Sequence, residues 1–156
     1  MNKMCIAVIF VLVLVIIVGG YKFIVQGSVS EGTDGRMAIH LDASERDLVL
    51  EEMRGFLVSV QQIAMGISED DMEHVVEYAR KAGSSAQGEV PAALIGKLPL
   101  SFKKLGFDTH SRFDTLALDA ESLGDSGHAL NQLTTLMENC VACHAVYRFV
   151  VMADPQ

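Results

Sequence analysis

The sequence predicts an all-α protein, an antiparallel four-helix bundle preceded by a single N-terminal transmembrane helix. An uncharged, almost wholly apolar stretch runs from Met4 to Tyr21, and apolar residues recur with helical spacing from Asp42 onward. The second region has no alternating strand pattern and no internal repeat. We therefore divide the chain into an anchor at residues 1–26, a flexible tether at 27–41 and a helical domain at 42–152.

The N-terminal segment has the length and composition of a membrane anchor. Thirteen consecutive apolar residues extend from Ile6 to Val18, and with Phe23–Val25 the segment is about long enough to cross a bilayer as a helix. A cleavable signal peptide is the competing interpretation, but the best cleavage position, after Gly27, lacks the usual small-residue pattern. We expect an uncleaved anchor whose N-terminus is cytoplasmic, because Lys3 is positively charged.

The first half of the chain predicts the tether and two helices. Gly27–Asp34 is polar and rich in Gly and Ser, as flexible linkers are. Helix one begins at Ser44-Glu45-Arg46-Asp47, which resembles a capping box, and runs to about Gly66. Helix two is capped by Ser68 and ends at Gly83.

The second half predicts two more helices. Ala92–Leu98 forms a short helical turn within an irregular segment, helix three covers roughly Phe107–Leu123, and helix four runs from about His128 to Val150. Each helix presents one apolar face toward a shared core. The predicted inward residues of helices one and four are Val49, Met53, Phe56, Leu57, Val60, Ile63, Ala64 and Ile67, and Leu130, Leu133, Met137, Cys140, His144, Tyr147 and Val151.

Helix four contains the most specific motif of the chain, Cys140-Val141-Ala142-Cys143-His144. This C-x-x-C-H pattern is typical of c-type haem attachment, in which each thiol adds to a porphyrin vinyl group and the histidine supplies an axial nitrogen. A zinc site would need a second ligand pair, and a thioredoxin-type redox pair would lie beside a βαβ pattern; the sequence has neither. Cys140 and His144 share the predicted inward face, so we expect one covalent haem c inside the bundle, attached to Cys140 and Cys143 with His144 on the iron.

A four-helix domain with C-x-x-C-H in its last helix resembles the class II c-type cytochromes, that is, cytochrome c′ and its low-spin relatives of the cytochrome c-556 type. The resemblance covers roughly residues 42–150 and is most specific at Cys140–Arg148. It implies a cytochrome c′-like bundle with one haem, and either electron transfer or diatomic gas binding. It also implies that Tyr147 and Arg148 flank the proximal side of the haem. The anchor is not part of the usual family pattern.

The resemblance further implies that one residue of helix one faces the iron from the other side. A methionine there gives a six-coordinate haem suited to electron transfer, whereas a non-ligating apolar residue leaves the iron open to nitric oxide or carbon monoxide. Met53 is the candidate ligand, and an ordinary core methionine is the competing interpretation. The family often has a propionate-binding arginine one turn earlier, where this chain has Val49. If Arg46 takes that role, Leu50 faces the iron and the site is of the gas-binding kind.

Four further residues are candidates for the haem environment. Arg54 is an alternative partner for a haem propionate, with a surface charge as the competing interpretation. Phe56 and Phe113 are candidates for packing on the porphyrin, or else ordinary core aromatics. His110 is a rival ligand or a proton site, against a partly exposed histidine near a helix start.

Together these features predict a membrane-anchored monohaem c-type cytochrome that carries single electrons and is not an enzyme. We expect a single-pass protein of the bacterial inner membrane with its haem domain in the periplasm, or a soluble periplasmic protein after signal cleavage. The alternatives are a gas-binding protein of the cytochrome c′ kind and an accessory haem subunit of a larger membrane redox complex. The resemblance also makes a homodimer plausible.

The charge of the exported part limits its partners. All twenty acidic residues but only ten of the twelve basic ones follow the anchor at residues 1–26, so this part carries about −10 before haem propionates are counted. That balance argues against binding to nucleic acid or to anionic lipid headgroups. It permits steering toward a basic redox partner, while a solvated acidic surface explains it equally well. We expect redox proteins, basic or membrane-bound, as partners.

Overall fold

The computed structural model of the protein describes residues 3–86, 88 and 90–152. It is mostly helical, as predicted, but it also contains a three-stranded sheet that the sequence analysis did not predict. The helices are α1 (Lys3–Gly20), α2 (Ala43–Glu69), α3 (Met72–Ala82), α4 (Ala92–Lys97), α5 (Leu100–Leu123) and α6 (Ser126–Val146), and the strands are β1 (Val29–Glu31), β2 (Met37–Leu41) and β3 (Tyr147–Val151).

The N-terminal helix stands apart from the helical domain. After α1 the chain continues as a π-helical segment, Tyr21–Gln26. Among the described residues, Lys3–Gln26 is the one segment long and apolar enough to cross a membrane, with a mean hydropathy of 3.0. No residue of α1 is buried, so its whole apolar surface is free to contact lipid. Residues 1–2 of the predicted anchor lie outside the described residues.

Four helices pack around one core. α2 packs against α3 and α6, and α5 packs against the same two helices. We call this core the helix cluster, and burial of its apolar side chains is the main force that holds these helices together. The helix cluster consists of Ile63, Val75, Ala79, Ala82, Phe113, Leu116, Ala117, Ala120, Ala129, Leu133 and Leu136.

The helix starts differ from those predicted. α2 begins one residue after Asp42, whose backbone N–H donates to the carboxylate of Glu45 at 2.9 Å. Ser68 does not cap α3; it lies in the last turn of α2, and the cap is Asp71, which accepts from the N–H of His74 at 3.0 Å. The aspartates outcompete the nearby serines as caps because their carboxylates also meet the positive end of the helix dipole.

A small sheet takes the place of two predicted features, the flexible tether and the end of helix four. The segment predicted as a flexible tether, 27–41, contains β1 and β2, and its Ile39 and Leu41 are fully buried. Residues 147–151 are not the end of helix four; they form β3, a run of aromatic and β-branched residues that favours extended backbone. β2 lies in the middle, antiparallel to β1 and parallel to β3.

The sheet builds a second core, which we call the sheet cluster. It consists of Ile39, Leu41, Val49, Leu94, Leu98, Phe102 and Tyr147. It therefore combines β2 and β3 with the second turn of α2, the first turn of α5 and the region of α4. This places it at one end of the helices, where α2 and α5 begin and α6 ends.

The inward face of α6 is rotated from the prediction. Its buried residues are Ala129, Leu133 and Leu136, whereas Leu130 and Met137 are exposed. Leu57 of α2, predicted inward, is 70% exposed. The apolar surface of α6 is wider than the stripe that the fold buries, so periodicity alone did not define the buried positions.

Candidate functional site

A cavity of about 200 Å³ lies against the sheet cluster, at the end of the helices where α2 and α5 begin. Four elements and the segment before β2 contribute its wall. The lining residues are Arg36, Leu50, Met53, Phe102, Cys143, His144, Tyr147, Arg148 and Phe149. Five of the predicted site residues therefore meet here, namely Met53, Cys143, His144, Tyr147 and Arg148. They come from α2, α6 and β3 and converge because the sheet brings β3 beside the start of α2.

The two motif cysteines lie near the end of α6 as free, half-buried thiols. Cys143 packs against the sheet cluster and lines the cavity, while Cys140 lies one turn earlier and outside its lining. Burial raises the pKa of Cys140, and burial together with the nearby Cys140 raises the pKa of Cys143 to about 11. Both thiols therefore stay protonated at neutral pH, unlike the low-pKa thiolate of a reactive redox pair.

His144 and Met53 border the same cavity from two different helices. His144 is exposed in the last turn of α6, and its backbone carbonyl accepts a hydrogen bond from Arg36 at 3.4 Å. Met53 is half-buried in the third turn of α2 and packs against the sheet cluster. His144 and Met53 thus border one space, and an imidazole nitrogen with a thioether sulfur is a donor pair that a six-coordinate haem iron can take. Leu50, one turn before Met53, lines the same cavity.

Two arginines border the cavity, and both approach the carboxylate of Asp34. Arg36 binds Asp34 at 2.7 Å, and Arg148 approaches the same carboxylate at 3.6 Å. The side-chain hydrogen bond from Arg36 is the main reason that the pKa of Asp34 falls to about 2. Two guanidinium groups against one carboxylate leave this rim with a net positive charge, although the chain after the apolar segment is acidic as a whole. Guanidinium groups are well suited to binding carboxylates such as propionates.

Aromatic rings line the side of the cavity next to the sheet. Phe102 packs edge-on against Tyr147 at 5.5 Å and against Phe149 at 5.8 Å between ring centroids. The hydroxyl of Tyr147 is hydrogen-bonded to that of Ser101. Phe102 is buried between these neighbours, so this side of the cavity is an apolar wall of packed aromatic rings.

The other candidate residues lie elsewhere. Phe56 and Phe113 stack on each other at 5.6 Å against the helix cluster, away from the cavity lining. Arg54 is exposed on α2 and is also absent from that lining. Arg46 pairs with its neighbour Asp47 at 2.6 Å. Each of these residues is explained by ordinary packing or by a surface charge.

His110 is not a partly exposed residue near a helix start. It is 4% exposed in the middle part of α5, where its Nδ1 donates to the carbonyl of Ala82 at 2.8 Å and its Nε2 lies 3.3 Å from Glu52. Burial disfavours the charged imidazole, but the bonds to Glu52 and Ala82 outweigh it and raise the pKa. His110 therefore ties α5 to α2 and α3 and does not face the cavity.

Sequence reasoning missed three residues of the site. Arg36 lies in a segment that was predicted to be a tether, Phe102 precedes the predicted start of helix three, and Phe149 was assigned to a helix. The only sequence signal for any of them was the β-favouring composition of residues 147–151, Tyr-Arg-Phe-Val-Val. Among the residues that the structure describes, no three His, Cys, Asp or Glu side chains are grouped as ligands for a bare metal ion.

Comparisons of this chain with protein-family models, curated proteins and solved structures give no match.

Proposed function

We propose that this chain is a membrane-anchored monohaem c-type cytochrome that carries single electrons. The observation that carries the proposal is the convergence of Met53, Cys143 and His144 on one cavity. The C-x-x-C-H motif alone predicts attachment of haem, and says nothing about the opposite side of the iron. A methionine on a different helix, bordering the same space as the motif histidine, supports a six-coordinate, electron-carrying site.

The residues at the cavity fit a haem by their chemistry. Cys140 and Cys143 would each form a carbon–sulfur bond to a vinyl group, with the thiol hydrogen passing to the vinyl carbon. His144 and Met53 would provide the axial nitrogen and sulfur, and Arg36 and Arg148 the counter-charges for the propionates. A bound haem would supply a one-electron iron couple. The cavity of about 200 Å³ is smaller than a typical ligand pocket, and the exposed last turn of α6 leaves room beside it for the rest of a porphyrin.

The packing of the helices supports the finer description of the fold that belongs to this proposal. α2, α3, α5 and α6 would form the antiparallel four-helix bundle of the class II c-type cytochromes, with the haem at the end closed by the sheet. That position differs from the interior site that the predicted stripe of α6 suggested. Location in the inner membrane with the haem domain in the periplasm is proposed because c-type haem is attached outside the bacterial cytoplasm and Lys3–Gln26 is long enough to span a bilayer.

A gas-binding function is the second candidate, and the position of Leu50 favours it. Leu50 borders the cavity one helical turn from Met53, so a small rotation of α2 would exchange an apolar residue for the thioether. An iron facing Leu50 would keep an open position for nitric oxide or carbon monoxide.

Visible spectroscopy of the full chain, produced in a host that attaches c-type haem, tests the proposal. We expect haem that stays on the protein after acid denaturation, and a low-spin ferric spectrum with a methionine-to-iron charge-transfer band. Met53→Ala should abolish that band and make the iron high-spin. Met65→Ala, on the same helix but outside the cavity lining, is the matched control and should leave the spectrum unchanged.

Two results would contradict the proposal in different ways. A high-spin wild-type spectrum that shifts when carbon monoxide is added to the reduced protein would favour the gas-binding alternative. Absence of covalently bound haem in a host that matures other c-type cytochromes would overturn both.

A further inference from the structure

The anchor and the candidate site meet at the same short stretch of chain, where α4 leads into α5. Lys103, in the first turn of α5, donates from its ammonium to the carbonyls of Ile24 at 2.9 Å and Ile95 at 3.3 Å. The preceding residue, Phe102, lines the cavity. Consecutive residues of α5 therefore contact the end of the anchor and the site.

Close backbone contacts fix this junction. Gly27, directly after the anchor, is buried with φ of +69°, and a Cβ there would lie 2.7 Å from the nitrogen of Pro99. The next residue, Ser28, donates its N–H to the carbonyl of Lys97 at 2.7 Å. The ring of Phe23 covers Gly96 so closely that a Cβ on that glycine would lie 2.6 Å from it. The last segment of the anchor, Tyr21–Gln26, is thus docked on the domain, and β1 begins close behind it at Val29.

The opposite end of the helices is far from the cavity. It consists of the turn between α2 and α3 and the turn between α5 and α6. Along α2, the helical rise of 1.5 Å per residue puts Asp70 about 25 Å from Met53. Electron tunnelling falls off exponentially with distance, so a partner at that end would exchange electrons slowly.

Charge distinguishes the two ends as well. The far end carries the exposed carboxylates of Glu69, Asp70, Asp71, Glu73 and Asp125, and also Glu121, which is paired with Arg80. No Lys or Arg lies between Arg54 and Arg80 or between Arg112 and Arg148. A soluble basic partner would be steered to this acidic end, and hence away from the site.

We infer that the site-bearing end of the domain faces the bilayer, and that the partner is a membrane-embedded redox protein whose one-electron centre lies at headgroup level. The choice of partner rests on the proposed function; the orientation does not. One electron passes between the partner's centre and the site, and no bond forms or breaks. A lipid-soluble quinol fits less well, because it releases two electrons and a single haem accepts only one.

Orientation is tested with the full, haem-loaded chain in lipid nanodiscs. In a Cys5→Ser background, a nitroxide spin label is placed at Lys104→Cys, beside the junction, or at Ser122→Cys, at the far end; both positions are exposed. Nickel-chelating lipid should relax the label at position 104 strongly and the label at 122 weakly. Insertion of a flexible Gly/Ser segment of about ten residues between Gln26 and Gly27 should remove the difference.

A matched pair of glycine variants checks the docking without an insertion. Gly96→Leu should displace Phe23 and reduce the difference between the labels, whereas Gly106→Leu, where an added Cβ meets nothing within 4 Å, should preserve it. Equal nickel effects at the two positions in the chain without an insertion would overturn the inferred orientation.

The partner class is tested by stopped-flow oxidation of the reduced haem with an amphiphilic ferrocenium held in the nanodisc. The inserted segment should lower this rate several-fold and leave oxidation by a small soluble ferrocenium unchanged. Equal rates with and without the insertion, or direct reduction of the haem by a quinol, would overturn the inferred partner. A chain without covalent haem that keeps the label difference would overturn the proposed function and the partner, while the orientation would stand.

Discussion

The helix cluster and the sheet cluster differ in the sequence separation of their members and in what they support. The helix cluster joins helices that are neighbours along the chain, each with its own amphipathic pattern. The sheet cluster joins Ile39, Phe102 and Tyr147, which are widely separated in sequence, and it alone adjoins the cavity. The comparison teaches that one core holds the helices together and the other assembles the site. Substitutions in the two cores should therefore have separable effects.

The largest effect is expected in the helix cluster. Phe113 is fully buried and stacked on Phe56, so Phe113→Ala should lower the free energy of unfolding by about 3–5 kcal/mol through lost burial and the cavity left behind. Denaturant unfolding followed by far-ultraviolet circular dichroism measures this loss. Phe107→Ala, at a residue of the same helix that is 59% exposed, should change it by less than about 0.5 kcal/mol. Similar losses for both variants would contradict the assigned core.

The second-largest effect is expected from a substitution in the sheet cluster. Ile39 is fully buried on β2, and Ile39→Ala should cost about 2–5 kcal/mol of local stability. We expect amide hydrogen exchange to accelerate in the sheet, for example at His40, much more than in α3 and α5. Met37→Ala on the same strand, at a residue that is 39% exposed, is the control. Equal loss of protection in helices and sheet would mean that the two clusters form one cooperative unit.

A smaller effect is expected at the start of α6, in the turn remote from the sheet. Asp125 caps this helix by accepting from the backbone N–H of His128 at 3.0 Å. Asp125→Ala should lower the free energy of unfolding by about 1 kcal/mol, and Asp125→Ser should restore most of it. Exchange in the sheet should be unaffected. An Asp125→Ala variant as stable as the wild type would exclude this cap as a contributor.

The smallest expected effect is a pH dependence of the free energy of unfolding that arises from His110. The folded pKa of His110 is raised above the ordinary value of 6.5, so its stabilisation is complete below that pH and is lost as pH rises through the folded value. Denaturant unfolding measured from about pH 5 to about pH 9, a range centred near the ordinary histidine pKa, should show this decline in the free energy of unfolding. Glu52→Gln should flatten it and Glu51→Gln, at the adjacent exposed residue, should not. A decline that persists in Glu52→Gln would assign it to another group.

The helical part of the fold could be predicted because its signals are local. Residues on one face of α2, α3 and α5 recur at helical spacing, and the apolar run at Ile6–Val18 is read directly from composition. The rotated face of α6 was missed because its apolar residues, such as Leu130 and Met137, cover more of the helix than its neighbours bury. Periodicity identifies a helix, but the packing of its neighbours selects the buried face.

The sheet could not be predicted because its determinants are not local. β1 has three residues and lies in a Gly/Ser-rich segment, and β3 continues the apolar spacing of α6. β1 is held by its antiparallel pairing with β2, and β3 by its parallel pairing with β2 across more than a hundred residues. The site divides in the same way: Met53, Cys143 and His144 follow from motif and spacing, whereas Arg36 and Phe102 reach the cavity through this long-range pairing.

The parallel pairing of β2 with β3 also sets an order of events during biogenesis. β3 follows Cys140 and Cys143 in the chain, and β2 precedes every helix of the domain. Because the anchor is proposed to keep its N-terminus cytoplasmic, the domain would cross the membrane from its tether onward, and the sheet could not close until residues 147–151 had followed. Closing so long a loop is slow. In that interval the thiols of α6 have no strand beside them. Under the proposed function, this topology would give the enzyme that attaches haem a period of access to the thiols, which ends when the last strand pairs.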